Sequence, residues 1–447
     1  MNLRTRTLSL LDELNQKFFE RDEVIRLMLL AQYSQKNMFL IGIPGTGKTQ
    51  LIKMLFNSLK GARFWSLLFN KTTKVEQVFG EEIYIDGTAT YSTKGTALDA
   101  HILFFDEMFK ASNSLLNSFL QLLAEKTYSE GGIDVKTPVV TVYGASNELP
   151  TGADIAPFSD RFLIWYDVPR IKKEENIKKF LLNQFNTDKK IQHPIELVEL
   201  EIIKKQASEI PITDEFFKMF FLIKNALTKA NSTSAGQSLS EISDRKYGYI
   251  METIRVATVV NEDATPNDSY LLLLIHMTWQ TYAEKKRVRE IVYDCLFSNN
   301  VYLDGQIIKL ENEFFKKQSI CNSFNIYIEH KIYFKPNFTY NTFEELYQLV
   351  LKYYHEIASE YKIIQKIIAK KKYNDELEVL IEKNIFLPNI KSPSFTKNMI
   401  ERVNTLNFDY EMMVTRLEKW LTENQTSLQY NELFREKQYQ KNAGQLK

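Results

Sequence analysis

The chain has 447 residues, enough for roughly three domains at about 150 residues each. Hydrophobic residues make up 44% and charged residues 25%, which excludes wholesale disorder and fits an ordinary globular protein. Basic residues number 57 and acidic residues 56, a net charge of +1, so bulk charge implies neither nucleic acid nor an anionic membrane as partner.

Asp12 and Glu13 stand among the first apolar residues, unlike a signal or transit peptide, and a cytoplasmic location is expected. Up to about Arg170, short apolar runs alternate with helical patterns. The runs are Met38 to Ile43, Phe64 to Phe69, Ile102 to Phe105, Val139 to Ala145 and Phe162 to Val168. Strands alternating with helices predict an α/β fold with a parallel sheet covered on both faces. Hairpins are expected at Ile83 to Thr88, where Asp86-Gly87 suits a tight turn, and around Gly131-Gly132.

From Ile171 to about Phe297 strand signals vanish and helical periodicity takes over, with a Ser/Gly-rich loop at Ala230 to Ser240. Tyr270 to Met277 is the longest apolar stretch. It is interrupted by His276, falls short of the ~18 residues of a membrane span and reads as a buried helix. Two cysteines, Cys295 and Cys321, support neither a disulfide framework nor a Cys-rich zinc site, and suit a reducing compartment. The five histidines lack metal-ligand spacing and are taken as structural.

Between Ser298 and Tyr340 the signal is mixed, and Ser323 to Phe334 alternates weakly enough to be strand. Two long helices follow. Phe343, Leu346, Val350, Tyr353 and Ile357 form one 3-4 seam, continued by Tyr361, Ile364 and Ile368 after a slip. Met399, Val403, Leu406, Tyr410, Met413, Leu417 and Trp420 form a second. The two seams are consistent with an ordinary helical bundle or with an antiparallel arm projecting from the core and presenting its tip to a partner. Lys370-Lys371-Lys372 reads as a solvated helix end.

Chemistry concentrates in the first 170 residues. Gly42-Ile43-Pro44-Gly45-Thr46-Gly47-Lys48-Thr49 matches G-x-x-x-x-G-K-[ST] between a strand and a helix. Such glycines let backbone N–H groups cradle phosphate at a helix N-terminus. Lys48 would then reach the β- and γ-phosphates of ATP, and Thr49 would hold Mg²⁺. The apolar run Ile102 to Phe105 ends in Asp106 and Glu107; Asp106 would hold Mg²⁺ and Glu107 would polarise the attacking water. Asn147, at the tip of a strand expected beside the P-loop strand, could orient that water. Arg161 precedes the last core strand, either as a surface ion pair or as an arginine finger reaching a neighbouring subunit's nucleotide. Ser243 is a plausible N-cap, and Arg245 in the following first turn opposes the helix dipole, which favours a phosphate contact from a lid.

These motifs together resemble the MoxR branch of the AAA+ ATPases, and within it the RavA-like proteins. The resemblance runs from about Phe18 to Asp167 and takes in Glu20-Arg21-Asp22, the P-loop, Val78-Phe79-Gly80, Asp106-Glu107 with Lys110-Ala111, Asn147-Glu148-Leu149-Pro150 and Asp160-Arg161, with Ser243-Asp244-Arg245 further on. It implies Lys48 and Thr49, with Gly42, Pro44, Gly45, Thr46 and Gly47, as Walker A, and Asp106 and Glu107 as Walker B. It implies Asn147 as sensor 1, Arg161 as arginine finger and Arg245 as sensor 2. The implied architecture is an AAA+ P-loop core over 1–170, an all-α lid over 171–297, a connector over 298–341, a helical coiled-coil-like arm over 342–430 and a polar tail over 431–447.

The implied activity is Mg-dependent ATP hydrolysis by a homo-hexameric ring that remodels or assembles a partner together with a von Willebrand A domain protein. The reduced β segment at Ser323 to Phe334 argues against the lysine decarboxylase partnership of RavA-type relatives. Rival functions are a nucleic-acid-stimulated motor, against which the near-zero charge argues, and a scaffold that binds ATP with little turnover, against which Glu107 and Arg161 argue.

Overall fold

The computed structural model describes residues 2–85, 88–130, 133–148, 156–183, 191–231, 239, 241–297, 304–318, 343–388 and 395–443. It divides into two compact units, Met1–Leu296 with Leu377–Ile390, and Phe297–Glu376 with Lys391–Lys447.

The first unit is organised by a five-stranded sheet. Its strands are β1 (Met38–Ile41), β3 (Phe64–Leu68), β6 (Ile102–Asp106), β9 (Thr141–Ser146) and β10 (Ile164–Asp167), in the order β10-β1-β9-β6-β3. Every pairing is parallel. β1 and β9 are buried along their whole length, which is why they read as unbroken apolar runs rather than alternating ones. Four of the strands are one to three residues shorter than their runs, because flanking apolar residues pack without joining the ladder, and β6 extends one residue past its run to Asp106. Both hairpins form, β4 (Glu82–Ile85) with β5 (Thr88–Tyr91) and β7 (Thr127–Glu130) with β8 (Ile133–Lys136).

The helices α1 (Leu3–Asn15), α2 (Asp22–Tyr33), α3 (Lys48–Phe56), α4 (Val75–Phe79), α5 (Asn113–Glu125) and α6 (Ala156–Ser159) accompany the sheet. Beyond it come α7 (Glu174–Asn183), α8 (Leu197–Glu209), α9 (Asp214–Asn231), α10 (Asp244–Asn261) and α11 (Tyr282–Phe297). Asp268–His276 is a 3-10 helix whose leucines are buried, as the apolar stretch there requires. This half is not strand-free: Ile195–Glu196 (β11) pairs in parallel with Leu59–Lys60 (β2), a contact too short to leave a period in the sequence.

In the second unit, a helix over 304–318 (α12) joins α13 (Phe343–Lys383) and α14 (Lys397–Ala443). Tyr347 meets Trp420 at 6.0 Å and Gln365 bonds Asn407 at 2.5 Å, so α13 and α14 run antiparallel. The seams do bury each other through Val350, Ile357, Ile364, Met399, Val403, Leu406, Tyr410 and Leu417. They form three layers rather than a pair, since Ile307, Leu310 and Phe314 of α12 enter the same core and the Tyr410 hydroxyl donates to the Leu310 carbonyl at 3.1 Å. The lysine run at 370–372 lies inside α13, where Lys371 pairs with Asp375, and α14 carries the expected polar tail as helix as far as Ala443. Ser323 to Phe334 and most of the Ser/Gly-rich loop lie outside the described residues.

The expectation of a tip free to meet a partner fails. The end of α13 and the turn after it belong to the first unit, with Ile385, Phe386 and Leu387 all at most 4% exposed. Phe386 packs edge-on against Tyr33 of α2 at 6.2 Å. Asn261 of α10 donates to the Asn384 side chain at 3.1 Å and accepts from the Ile385 N–H at 2.8 Å. Arg4 and Arg26 donate to the carbonyls of Lys383 and Ile385. Phe386→Ala is therefore expected to lower the stability of the first unit by about 3 kcal/mol or more, read by thermal unfolding. A chain ending at Phe297, which lacks the turn altogether, should unfold at lower temperature than the first unit of the whole protein. Equal midpoints would show that the turn adds nothing.

Candidate nucleotide site

Three neighbouring strands end at one edge of the sheet. β1 leads into Gly42, β9 into Asn147 and β6 into Glu107, with Ile41 level with Ser146 across the β1–β9 pair. The loop after β1 turns back into α3, whose N-cap Gly47 has φ 83° and supplies no side-chain cap. A Cβ there would be strained, and the first amides of α3 are left for an outside acceptor. Gly42 is needed for a different reason: a Cβ on it would stand 2.8 Å from the Val168 carbonyl oxygen, against the loop that leaves β10.

Lys48, 7% exposed, points back across this loop. Its Nζ donates to the Gly42 carbonyl and to Asn147 Oδ1, the latter at 2.9 Å. Burial lowers its pKa, while the Glu107 and Asp106 carboxylates act in the opposite sense. Thr49 Oγ1 donates to Asp106 Oδ2 at 3.0 Å, so the two oxygen ligands expected for Mg²⁺ already touch. Glu107 sits in the left-handed region, φ 53° and ψ 40°. Its carboxylate accepts from the Asn147 side-chain amide and from the Asn147 N–H at 3.5 Å, and Lys110 Nζ lies at 3.4 Å. Asn147 thus bridges the Lys48 ammonium and the Glu107 carboxylate.

The donor set fits a nucleotide with its metal. Uncapped helix amides, a lysine and two glycines face where phosphates would lie, and a hydroxyl and a carboxylate stand together where a hard cation would. Among the described residues no cluster of three or more His, Cys, Asp or Glu offers a separate metal site, and no helix is long and apolar enough to cross a membrane.

Two nearby residues carried no sequence signal of their own. Arg21, 5% exposed, donates to the Thr46 carbonyl at 3.2 Å and so braces the phosphate loop from behind. Glu20 beside it, also left-handed at φ 57°, accepts from the N–H groups of Lys172 and Lys173 and from Asn176, tying the segment before α2 to the start of α7. Lys110, next to Glu107, is the other. Both residues fall in stretches that carry the family resemblance, but neither has a local pattern from which a role could be read.

Arg161 and Arg245 are not brought to this edge. Asn37, immediately before β1, donates to the Arg161 carbonyl at 2.9 Å, so Arg161 stands at the opposite end of β1 from Gly42. Five residues at about 3.3 Å each place the two ends about 16 Å apart. Its guanidinium donates to the carbonyls of Leu120 at 3.1 Å and Pro157 at 2.7 Å. Ser243 caps α10 as expected, accepting from the Lys246 N–H at 3.1 Å, and its hydroxyl donates to Asp160, the neighbour of Arg161. Farther along α10, Tyr249 and Glu252 meet Lys36, again before β1. The exposed Arg245 therefore shares the Arg161 edge. The lid helix packs at the strand starts and the phosphate loop lies at the strand ends, so Arg245 stands away from the loop of its own chain. Lys246 beneath it is buried and its pKa is pushed down to about 8, opposed by Asp160 and Glu284.

Comparison with known proteins gives the same frame. Residues 5–207 match the MoxR domain of the MoxR-vWA-beta-propeller ternary systems, and residues 215–292 match an AAA lid domain. An uncharacterised protein of Methanocaldococcus jannaschii is 28% identical over 309 residues, 68% of this chain and 78% of its own. The chaperone MoxR1 of Mycobacterium tuberculosis is 24% identical over 159 residues, 35% of this chain and 42% of its own. A crystal structure of a candidate ATPase from Cytophaga hutchinsonii shares the fold with TM-score 0.54 and 16% identity, covering 66% of this chain and 95% of that one. With a P-loop core and a lid helix bundle matched in succession, the chain belongs to the MoxR-type AAA+ ATPases.

Proposed function

We propose that the protein hydrolyses ATP with Mg²⁺, in a ring of identical copies, and uses the turnover to remodel or assemble a partner protein. The observation that carries this reading is the convergence of Lys48, Thr49, Asp106, Glu107 and Asn147 at one strand edge. When bound, ATP with its metal supplies the phosphoryl group and a cation that neutralises charge on it. Lys48 exchanges a carbonyl and an amide oxygen for phosphate oxygens. Thr49 and Asp106 would hold the metal, and Gly42 to Gly47, with Pro44 stiffening the turn, would offer amides to the phosphates. Glu107 accepts the proton of the attacking water, and Asn147 orients it.

The two-ended geometry supports a ring. Arg161 and Arg245 share an edge about 16 Å from their own phosphate loop, so both reach a nucleotide only across to a neighbouring copy. The family implies a hexamer. The MoxR-vWA system matched by the first 207 residues supports a von Willebrand A domain protein as partner, and the chaperone MoxR1 supports protein remodelling. The helical second unit favours the RavA-like subtype.

Lys48→Ala should lose ATP affinity, while Glu107→Gln should bind ATP and retain it, since shape is kept and the base removed. Hydrolysis by Glu107→Gln near the parent rate would overturn the assignment. The same variant, loaded with ATP and used to capture a purified von Willebrand A domain protein, tests the partnership.

Arg161→Ala and Arg245→Ala should each bind ATP. Arg161→Ala should hydrolyse it on the order of 10³-fold more slowly. Mixing either with Lys48→Ala should restore activity at the interfaces where an intact phosphate loop meets intact arginines. Recovery for Arg161→Ala alone would place Arg245 outside the shared site.

A further inference from the structure

Asn37 lies in the turn between α2 and β1 and is 3% exposed. A side-chain amide has two donors and two acceptor lone pairs, and here all four are engaged. Nδ2 donates to the carbonyls of Leu123 at 2.8 Å and Arg161 at 2.9 Å. Oδ1 accepts from Lys126 Nζ at 2.6 Å and from the Val142 N–H at 3.2 Å. The Asn37 backbone carbonyl adds bonds from the N–H groups of Leu163 at 3.0 Å and Ile164 at 3.4 Å. One residue thus holds the end of α5, the start of β9 and both sides of the turn that carries Arg161.

The turn is triangulated. Leu123, bonded to Asn37, and Leu120, bonded to the Arg161 guanidinium, are on the same helix α5. The backbone and the side chain of Arg161 are therefore referenced to one rigid element, and Asn37 ties that element to the start of β1. A buried apolar residue could fill this space, but it would take these bonds from two carbonyls, one amide and the Lys126 ammonium, at a cost of about 1–3 kcal/mol for each neutral group left unsatisfied and more for the charged one. Simple packing therefore does not account for an asparagine here.

We propose that Asn37 is the positioning residue that fixes the aim of Arg161 toward the nucleotide of a neighbouring copy. The inference rests on the reading of Arg161 as acting across an interface. Asn37 touches neither nucleotide; it acts through the Arg161 backbone. Displacing a catalytic group by about 1 Å can cost up to 10²-fold in rate, so losing this brace should show in turnover more than in binding. Asn37→Asp is the isosteric test. It keeps the acceptor toward Lys126 and Val142 and turns two donated bonds into oxygen–oxygen repulsion at Leu123 and Arg161.

The experiment measures ATP hydrolysis and ATP affinity for Asn37→Asp and Arg161→Ala side by side, each alone and mixed with Lys48→Ala, with assembly checked by sedimentation. For Asn37→Asp the expected result is kcat lower by about 10- to 10²-fold, ATP affinity within about twofold of the parent, and recovery on mixing. Recovery is the diagnostic readout, because a general loss of fold or of the variant's own phosphate loop leaves no intact interface to form. If Arg161→Ala recovers and Asn37→Asp does not, the positioning role is wrong while the reading of Arg161 stands. If Arg161→Ala itself fails to recover in mixed assemblies, the reading beneath the proposal falls. Should Asn37→Asp not fold, Asn37→Ser takes its place in the same mixing test, and parent-like turnover by a folded variant overturns the proposal.

Discussion

Strand polarity is the constraint on which the other features depend. All pairings in the main sheet are parallel, so every loop that follows a strand emerges at one edge and every loop that precedes one at the other. Gly42, Glu107 and Asn147 fall on the first edge because each follows a strand. Asn37 and Arg161 fall on the second because each precedes one. The groups proposed to hold phosphate and the arginines proposed to neutralise charge on it are thus separated by the length of a strand. Any contact that pairs the two sites must therefore bring unlike edges of two copies together, and a head-to-tail contact repeated around a closed ring does this at every interface.

The charges at the first edge are tolerated because they compensate one another. Lys48 is desolvated, which disfavours its charge, yet two carboxylates lie near enough to favour it. Glu107 is 8% exposed and receives the Asn147 amide and the Lys110 ammonium. Its left-handed backbone costs about 1–2 kcal/mol, a strain that aims the carboxylate toward Asn147. A phosphate taking up the Lys48 ammonium would break the Lys48–Asn147 bond, and the effect would reach Glu107 through one shared amide.

Most of the first edge was legible in the sequence because its chemistry is local. Glycines flanking Lys48, and acids closing an apolar run, mark their own place on the fold. Ser243 announced the start of α10 in the same way, since a cap bonds within three residues. What the sequence could not carry was the side of the sheet on which that helix lands. That depends on Lys36 meeting Glu252 and on Ser243 meeting Asp160, partners far apart in the chain. Asn37 and Arg21 carry no local pattern, because most partners of their side chains are backbone groups that every residue possesses. The two-residue pairing of β2 with β11 is shorter than any period that could reveal it. The burial of Ile385-Phe386-Leu387 leaves no local pattern either, because Tyr33 and Asn261, which cover the turn, are more than a hundred residues away.

That turn also explains how α2 and α10 keep a fixed relation. Arg26 of α2 and Asn261 of α10 both bond it, through Ile385. α2 begins at Arg21, which braces the phosphate loop, and α10 begins beside Arg161 at the other edge. The turn from the end of α13 is therefore a common anchor for one helix tied to the strand ends and one tied to the strand starts. Its central polar pair, Asn261 with Asn384, is buried at both members. Removing the turn would take both bonds from Asn261, at a cost of about 1–3 kcal/mol for each group left buried and unsatisfied. An apolar plug alone could slide; a buried amide pair flanked by Phe386 fixes one register.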